Sequence, residues 1–320
     1  MIKRFIRKFK PSYELYNLFK RSELEHNLSK YKKYGLSKKY YSSISSKDFE
    51  GLESPLNIHD RLNSRDTLPT QADFQNLSSQ RQEEILSWSD NGYVILKQFF
   101  SKERVHQIND EVEHLDQLKK AQWVGNKMMF AIHYSDIMLK ASADPALMKI
   151  INLIMGKKME LFQSINFLSG SEQRTHSDSF HMSTFPYGNI IAAWIALEET
   201  NAENGPLHYY KGSHKLPYVV NKNFGNEGSN FFLGDKAYSV YEDKIAEIVE
   251  QNNFEREILL AEPGDVLLWH SNLLHGGEPH RNKERTRKSL VTHYYAEDAI
   301  CYHEITQRPT LKRALHFPKL

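Results

Sequence analysis

The sequence predicts a mainly β protein with flanking helices, an α+β chain whose strands close on one another as a sandwich or barrel behind an N-terminal helical segment. Three observations lead there. From residue 159 onward, six short runs rich in β-branched and aromatic residues follow one another: ELFQSINFL, NIIAAWIAL, PLHYYKG, REILLAE, DVLLWHS and SLVTHYY. Turn-forming pieces such as NAENGP and AEPGD separate several of them, and helices do not alternate with them as a parallel sheet requires. At 320 residues, 40% hydrophobic and 12% aromatic, the chain has enough apolar material for one large domain or two modest ones.

The elements follow in order. Residues 1–80 form a basic extension and linker: positions 1–41 carry a net charge of +9, and in MIKRFIRKFK the residues Ile2, Phe5, Ile6 and Phe9 fall at helical spacing among Lys and Arg. Two readings stay open for residues 1–20, a peripheral contact with an anionic membrane surface or a helix docked on the body. The Ser-, Asp- and Asn-rich stretch 42–80 predicts an irregular linker or wrapping arm. SSQRQEEILSWSDNG predicts a short helix ended by Asn91-Gly92, YVILKQFF a buried strand, and SKERVHQINDEVEHLDQL an amphipathic helix opened by Ser101. PALMKIINLIMG is bounded as a helix by Pro145 and Gly156. The main domain is expected over 81–305, with a polar, lid-like insertion at 217–256 holding a helix at 241–251, and a C-terminal tail at 306–320.

Several classes are excluded or disfavoured. Cys301 is the one cysteine, so no intrachain disulfide and no cysteine-rich zinc site can form. No run of eighteen apolar residues offers a membrane span, and the N-terminus lacks a secretory signal, so a cytoplasmic location, peripheral to the membrane at most, is expected. The positive charge is confined to the extension and the remaining residues sum to −7, so nucleic acid is not an expected partner.

The chemistry gathers in two segments. RTHSDSFHMSTFP holds the His-x-Asp pair His176 and Asp178; at a strand, period-two alternation would put both side chains on one face. A third ligand must come from elsewhere, and DVLLWHSNLLHGGEPHRNKERTRKSLVTHYY supplies His270, His275, His280 and His293. Arg287 opens the last strand-like run, a spacing that lets the chain turn and return a guanidinium to the same cavity. Two imidazoles and one carboxylate with open positions suit Fe(II), and an arginine nearby suits the far end of a dicarboxylate. His181 would face away from the metal on a regular strand, as an outer group or a surface histidine; His214 and Asn204-Gly205 read as turn chemistry, and Trp194 by its period as core.

THSDSFHMSTFPYGNIIAAWIALEETNAENGPLHYYKGSHK, followed by EPGDVLLWHSNLLHGGEPHRNKERTRKSLVTHYY, resembles the phytanoyl-CoA dioxygenase family over roughly 85–300. The shared elements run in order: His176 and Asp178, Trp194 to Leu197, Asn204 to Leu207, Gly212 to His214, Gly264 with Asp265, His275 and Arg287. The resemblance implies a double-stranded β-helix (jelly roll) core and an oxygenase using Fe(II), 2-oxoglutarate and O2 on a small-molecule substrate. It implies His176, Asp178 and His275 as iron ligands and Arg287 on the distal carboxylate, with Trp194, Lys127 and Gln163 lining the co-substrate pocket. NFLSGSEQ departs from the family in lacking a lysine before its turn. The rival expectation is a jelly-roll metal protein that is not an oxygenase, a hydrolase or a ligand-binding module.

Overall fold

The computed structural model describes residues 8–53 and 63–315. Its largest sheet has seven strands: β1 (Tyr93–Leu96), β2 (Gln122–Val124), β3 (Lys127–Met129), β4 (Met159–Phe167), β6 (Ile190–Ala196), β9 (Val266–His270) and β11 (Ser289–Ala296). Their order is β1-β9-β6-β11-β4-β3-β2, every pairing antiparallel. A facing sheet joins β7 (Leu207–Tyr210), β8 (Arg256–Ile258) and β10 (His275–Gly277) in the order β10-β7-β8. The third sheet joins β5 (Ser183–Phe185), β12 (Ile300–His303) and β13 (Arg308–Pro309). This sheet-rich body with flanking helices is the expected fold class.

Strand alternation divides the large sheet into two worlds. Ile191, Ala193 and Ile195 of β6, Val266 and Leu268 of β9, and Leu290 of β11 point to one face. There they pack on the helix Lys102–Gln117 through Val105, Ile108, Val112 and Leu115, and on the helix Pro145–Met155 through Leu147, Ile150, Ile151 and Ile154. Each such fully buried Val, Leu or Ile side chain contributes about 1.5–3 kcal/mol. The intervening residues Ala192, Trp194, Leu267, Trp269 and Val291 point the other way, toward Leu207 and Tyr209 of the facing sheet. The space between those two sheets is where the polar site residues meet.

Most sequence-predicted elements occur with trimmed ends. The strand at YVILKQFF stops at Leu96, because Gln98 turns at φ 48° and Gly264 packs on the Phe100 carbonyl at φ 94°, where a Cβ would collide. Ser101 caps its helix by accepting from the Arg104 amide at 3.2 Å. The predicted helix at 79–92 is two, Ser79–Ile85 and Trp88–Asn91.

Residues 8–53 pack on the body. Tyr31, Ile44 and Phe49 bury against Phe185, Ile300 and Tyr302 of the third sheet, and the Phe49 and Phe185 rings stack 4.3 Å apart. The 42–80 stretch is a wrapping arm whose described part includes short helices and places Leu68 and Phe74 in the main core. Much of the basic amphipathic run expected at the N-terminus, residues 1–7, lies outside the described residues. Among the described residues, no helix is long and apolar enough to cross a membrane.

Glu304 ties three of these segments together. Fully buried, its carboxylate accepts from the Ser46 amide at 2.9 Å, the Ser46 hydroxyl at 2.7 Å and the Asn221 amide at 3.1 Å. Glu304→Ala strands these donors and is expected to lower stability by about 3 kcal/mol, read from chemical denaturation; a loss below ~1 kcal/mol contradicts the assignment.

Burial pushes His26 down to about 4 and His303 down to about 3, so both imidazoles are neutral in the folded chain. The unfolded chain binds their protons near the ordinary value of 6.5. Their contribution to stability is therefore full above pH 6.5 and is lost as pH falls toward 3–4. Denaturant midpoints are expected to drop between pH 7 and pH 5 ~less steeply in His26→Gln than in the parent chain.

Candidate metal and co-substrate site

One pair of backbone hydrogen bonds builds the centre. The His176 amide donates to the His275 carbonyl and the His275 amide to the His176 carbonyl, both at 2.9 Å, forming an isolated antiparallel bridge. Asp178 is not on a strand with His176, as expected from alternation; it opens the helical turn Asp178–His181. The turn is fixed from behind. The Ser177 amide donates to the Tyr241 hydroxyl at 2.9 Å, and the Phe180 and Tyr241 rings stack 4.0 Å apart. Tyr241 belongs to the helix Tyr238–Asn252 of the insertion. The described residues of 217–256 do not line the pocket around the centre, so that segment buttresses the ligand turn and does not roof it.

Ligand atoms of His176, Asp178 and His275 lie within 4.8 Å of one another, all three residues buried. Asp178 Oδ1 is 4.0 Å from His176 Nε2 and 3.8 Å from His275 Nε2. The donor chemistry fits a cation. His176 Nδ1 donates to the Arg174 carbonyl and His275 Nδ1 to the Leu273 carbonyl, each at 2.9 Å. A carbonyl only accepts, so both protons sit on Nδ1 and both Nε2 lone pairs face the centre. Trp269 Nε1 donates to Asp178 Oδ2 at 2.8 Å, which leaves Oδ1 turned inward.

Electrostatics keep the set in its ligating form. Burial drives His176 well below the ordinary imidazole value, and His275 adds to the effect. Burial alone would raise the Asp178 carboxyl, but His275, His293 and His176 outweigh it and hold the group well below the usual carboxylate range.

A cavity of about 300 Å3 surrounds the centre and is lined also by Arg287, Trp194, Lys127 and Gln163, the remaining residues named from the sequence. Arg287 precedes β11 by two residues, in phase with Ser289, Val291 and His293 of its inner face. Its side chain is buried; Nη1 donates to Ser289 Oγ at 2.9 Å, while Nε has no partner. No carboxylate is in ion-pair distance of it among the described residues. Burial lowers it to about 10, which still leaves it cationic at neutral pH. The guanidinium lies 5.6 Å from the ring centres of both Phe167 and Trp194, and Trp194 Nε1 is likewise buried without an acceptor. Lys127 Nζ sits 5.2 Å from the Phe167 ring, its pKa lowered by burial. Asn204, fully buried, donates to the Glu199 and Thr286 carbonyls, at 2.9 and 3.2 Å. The turn thus fixes the residue before Arg287.

The other histidines separate. His280 accepts from the Gly170 amide and donates to the Arg285 carbonyl in a loop, and His270 accepts from the Asn272 amide. His293 comes within 3.7 Å of Asp178 Oδ2 as a neighbour of the carboxylate. His181 does not face away: it lines the cavity, its Nε2 2.7 Å from the Tyr238 hydroxyl, because the helical turn breaks the strand parity. Sequence reasoning missed Trp269, Tyr241 and His303. Only Trp269 left a signal, two residues from Leu267 on the inner face of β9.

Comparison with known proteins agrees with this geometry. Residues 88–289 match the family described as phytanoyl-CoA dioxygenase. A probable alpha-ketoglutarate-dependent hypophosphite dioxygenase of Stutzerimonas stutzeri is 25% identical over 232 residues, 66% of this chain and 77% of that protein. The peroxisomal phytanoyl-CoA dioxygenase of Bos taurus is 22% identical, covering 68% of each. Among solved structures, EctD from S. alaskensis with bound Fe superposes with a TM-score of 0.56 at 19% identity, over 76% of this chain and 85% of that one; the likeness shows a shared jelly-roll fold. A family match across most of the organised domain, together with the buried His-Asp-His centre, assigns the cofactors Fe(II) and 2-oxoglutarate: this chain belongs to the phytanoyl-CoA dioxygenase family of 2-oxoglutarate-dependent dioxygenases.

Proposed function

We propose that the chain hydroxylates an organic small molecule, with 2-oxoglutarate leaving as succinate and CO2. The observation that carries this reading is Arg287, a buried guanidinium with an unpartnered Nε and, among the described residues, no carboxylate within ion-pair distance. A buried cation left in that state is costly, and a dicarboxylate entering the 300 Å3 cavity supplies the missing acceptor. Iron(II) would be held by His176, Asp178 and His275 and, with dioxygen and the keto acid, would supply the oxidation that places one oxygen atom on the substrate and the other in succinate. The chain's own residues bind and orient. Arg287 takes the distal carboxylate by charge-assisted hydrogen bonds, and Trp194 Nε1 adds a second donor on the same side. Trp269 and the Arg174 and Leu273 carbonyls fix the three ligand side chains so that no rotation is needed when the cation binds. Asp178 would occupy the carboxylate position as a ligand, which would leave no space for a halide there and favours hydroxylation.

The purified chain with Fe(II), ascorbate and 2-oxoglutarate is expected to release succinate slowly without substrate and to lose that release in Asp178→Ala. Arg287→Ala is expected to raise the KM for 2-oxoglutarate by roughly 30–100-fold, the equivalent of about 2–3 kcal/mol, with a smaller change in kcat. Zinc-supported hydrolysis with no succinate contradicts the reading. A screen of metabolite extracts for 2-oxoglutarate-dependent gains of one oxygen identifies the substrate.

A further inference from the structure

A second and larger cavity, of about 850 Å3, opens beside the first. The two share Gln163, His181, Met182 and His303, so the larger chamber adjoins the metal-facing cavity across those four side chains. The chamber lies outside the two facing sheets, between β4, β12, the helix Pro145–Met155 and the C-terminal segment 306–315. The smaller cavity is already accounted for by the cation and the keto acid. The larger one has no role yet.

Its walls are apolar and adaptable: Phe130, Met148, Leu161, Phe162, Tyr295 and Leu315 contribute to them. Methionine and aromatic side chains together accept irregular apolar shapes. Three of the cationic groups at its rim are already paired. Lys158 pairs with Glu297 at 2.9 Å, Lys312 with Glu160 at 2.6 Å, and Arg313 approaches Glu23 at 3.9 Å. Arg308 lies 3.5 Å from the ring centre of Tyr13. Arg308 has no ion pair among the described residues and its Nε has no partner, so the chamber sets a single cationic donor against otherwise apolar walls. A cavity of this size holds a drug-sized organic molecule.

We propose that this chamber is the primary-substrate site and takes a predominantly apolar molecule, whose reacting end reaches toward the metal past the shared side chains Gln163, Met182, His181 and His303. The inference rests on the oxygenase reading above. It separates this chain from the relatives named for hypophosphite and ectoine, whose names denote small, charged, polar compounds. The segment 306–315, which lies beyond the family match, then becomes a specificity element that walls the substrate in.

The test uses the full metal-free chain and the uncharged fluorophore N-phenyl-1-naphthylamine. Saturable binding is expected, weakened by about tenfold or more in Met148→Trp and in Leu161→Trp, two fillings on different elements that guard against one variant failing to fold. Leu118→Trp, on an exposed surface remote from the chamber, is expected to leave binding unchanged, and thermal melting checks each variant. Neither hypophosphite nor ectoine is expected to displace the probe. Absence of saturable binding, or equal binding in the parent and both chamber variants, overturns the chamber proposal. Succinate release from the parent chain is measured in the same preparation: its presence alongside such a result leaves the oxygenase reading standing, and its absence overturns that reading and the chamber with it.

Discussion

The functional centre depends on a two-residue backbone bridge. His176 and His275 come from segments far apart in the chain, and the reciprocal amide–carbonyl pair between them brings their imidazoles to a ring separation of 4.4 Å. Side chains follow backbones, so the bridge dictates where both lone pairs point; the Arg174 and Leu273 carbonyls then settle the tautomers. Asp178 joins through a helical turn that begins two residues later. Loss of the bridge would leave three polar residues buried with no common focus.

Burial is the second constraint, and it acts in opposite directions on the two halves of the site. Around Asp178, the Trp269 indole N–H donates to the enclosed carboxylate, and a cation held by the three ligands would supply the rest of its compensation. Around Arg287 the described residues provide a serine hydroxyl, a backbone carbonyl at 3.5 Å, two aromatic faces and, beyond ion-pair distance, the Glu198 carboxylate. The first half is left for a cation, whereas the second is left for an incoming anion. A protein interior tolerates an uncompensated charge poorly, so its persistence here has a functional meaning.

Segments outside the sheets do more than decorate them. The insertion helix holds the ligand turn through Tyr241, Glu304 joins the N-terminal arm to the insertion, and the C-terminal segment walls the larger chamber. The metal centre is thus tied to parts of the chain that carry none of its motifs.

The sequence by itself determined five strands of the large sheet, the helices against it, and His176, Asp178 and Arg287 as candidates for the site. It could do so because period-two and period-3.6 patterns are local, and because the motif elements occur in a fixed order. Only the tertiary structure decided among the four downstream histidines, turned His181 into the cavity, set His293 beside Asp178 and converted an expected lid into a buttress. Short strands such as β5 and β10 are too brief to carry a period, and whether Tyr241 meets Ser177 depends on contacts between distant segments. Those contacts are fixed by packing, which no local pattern of residues encodes.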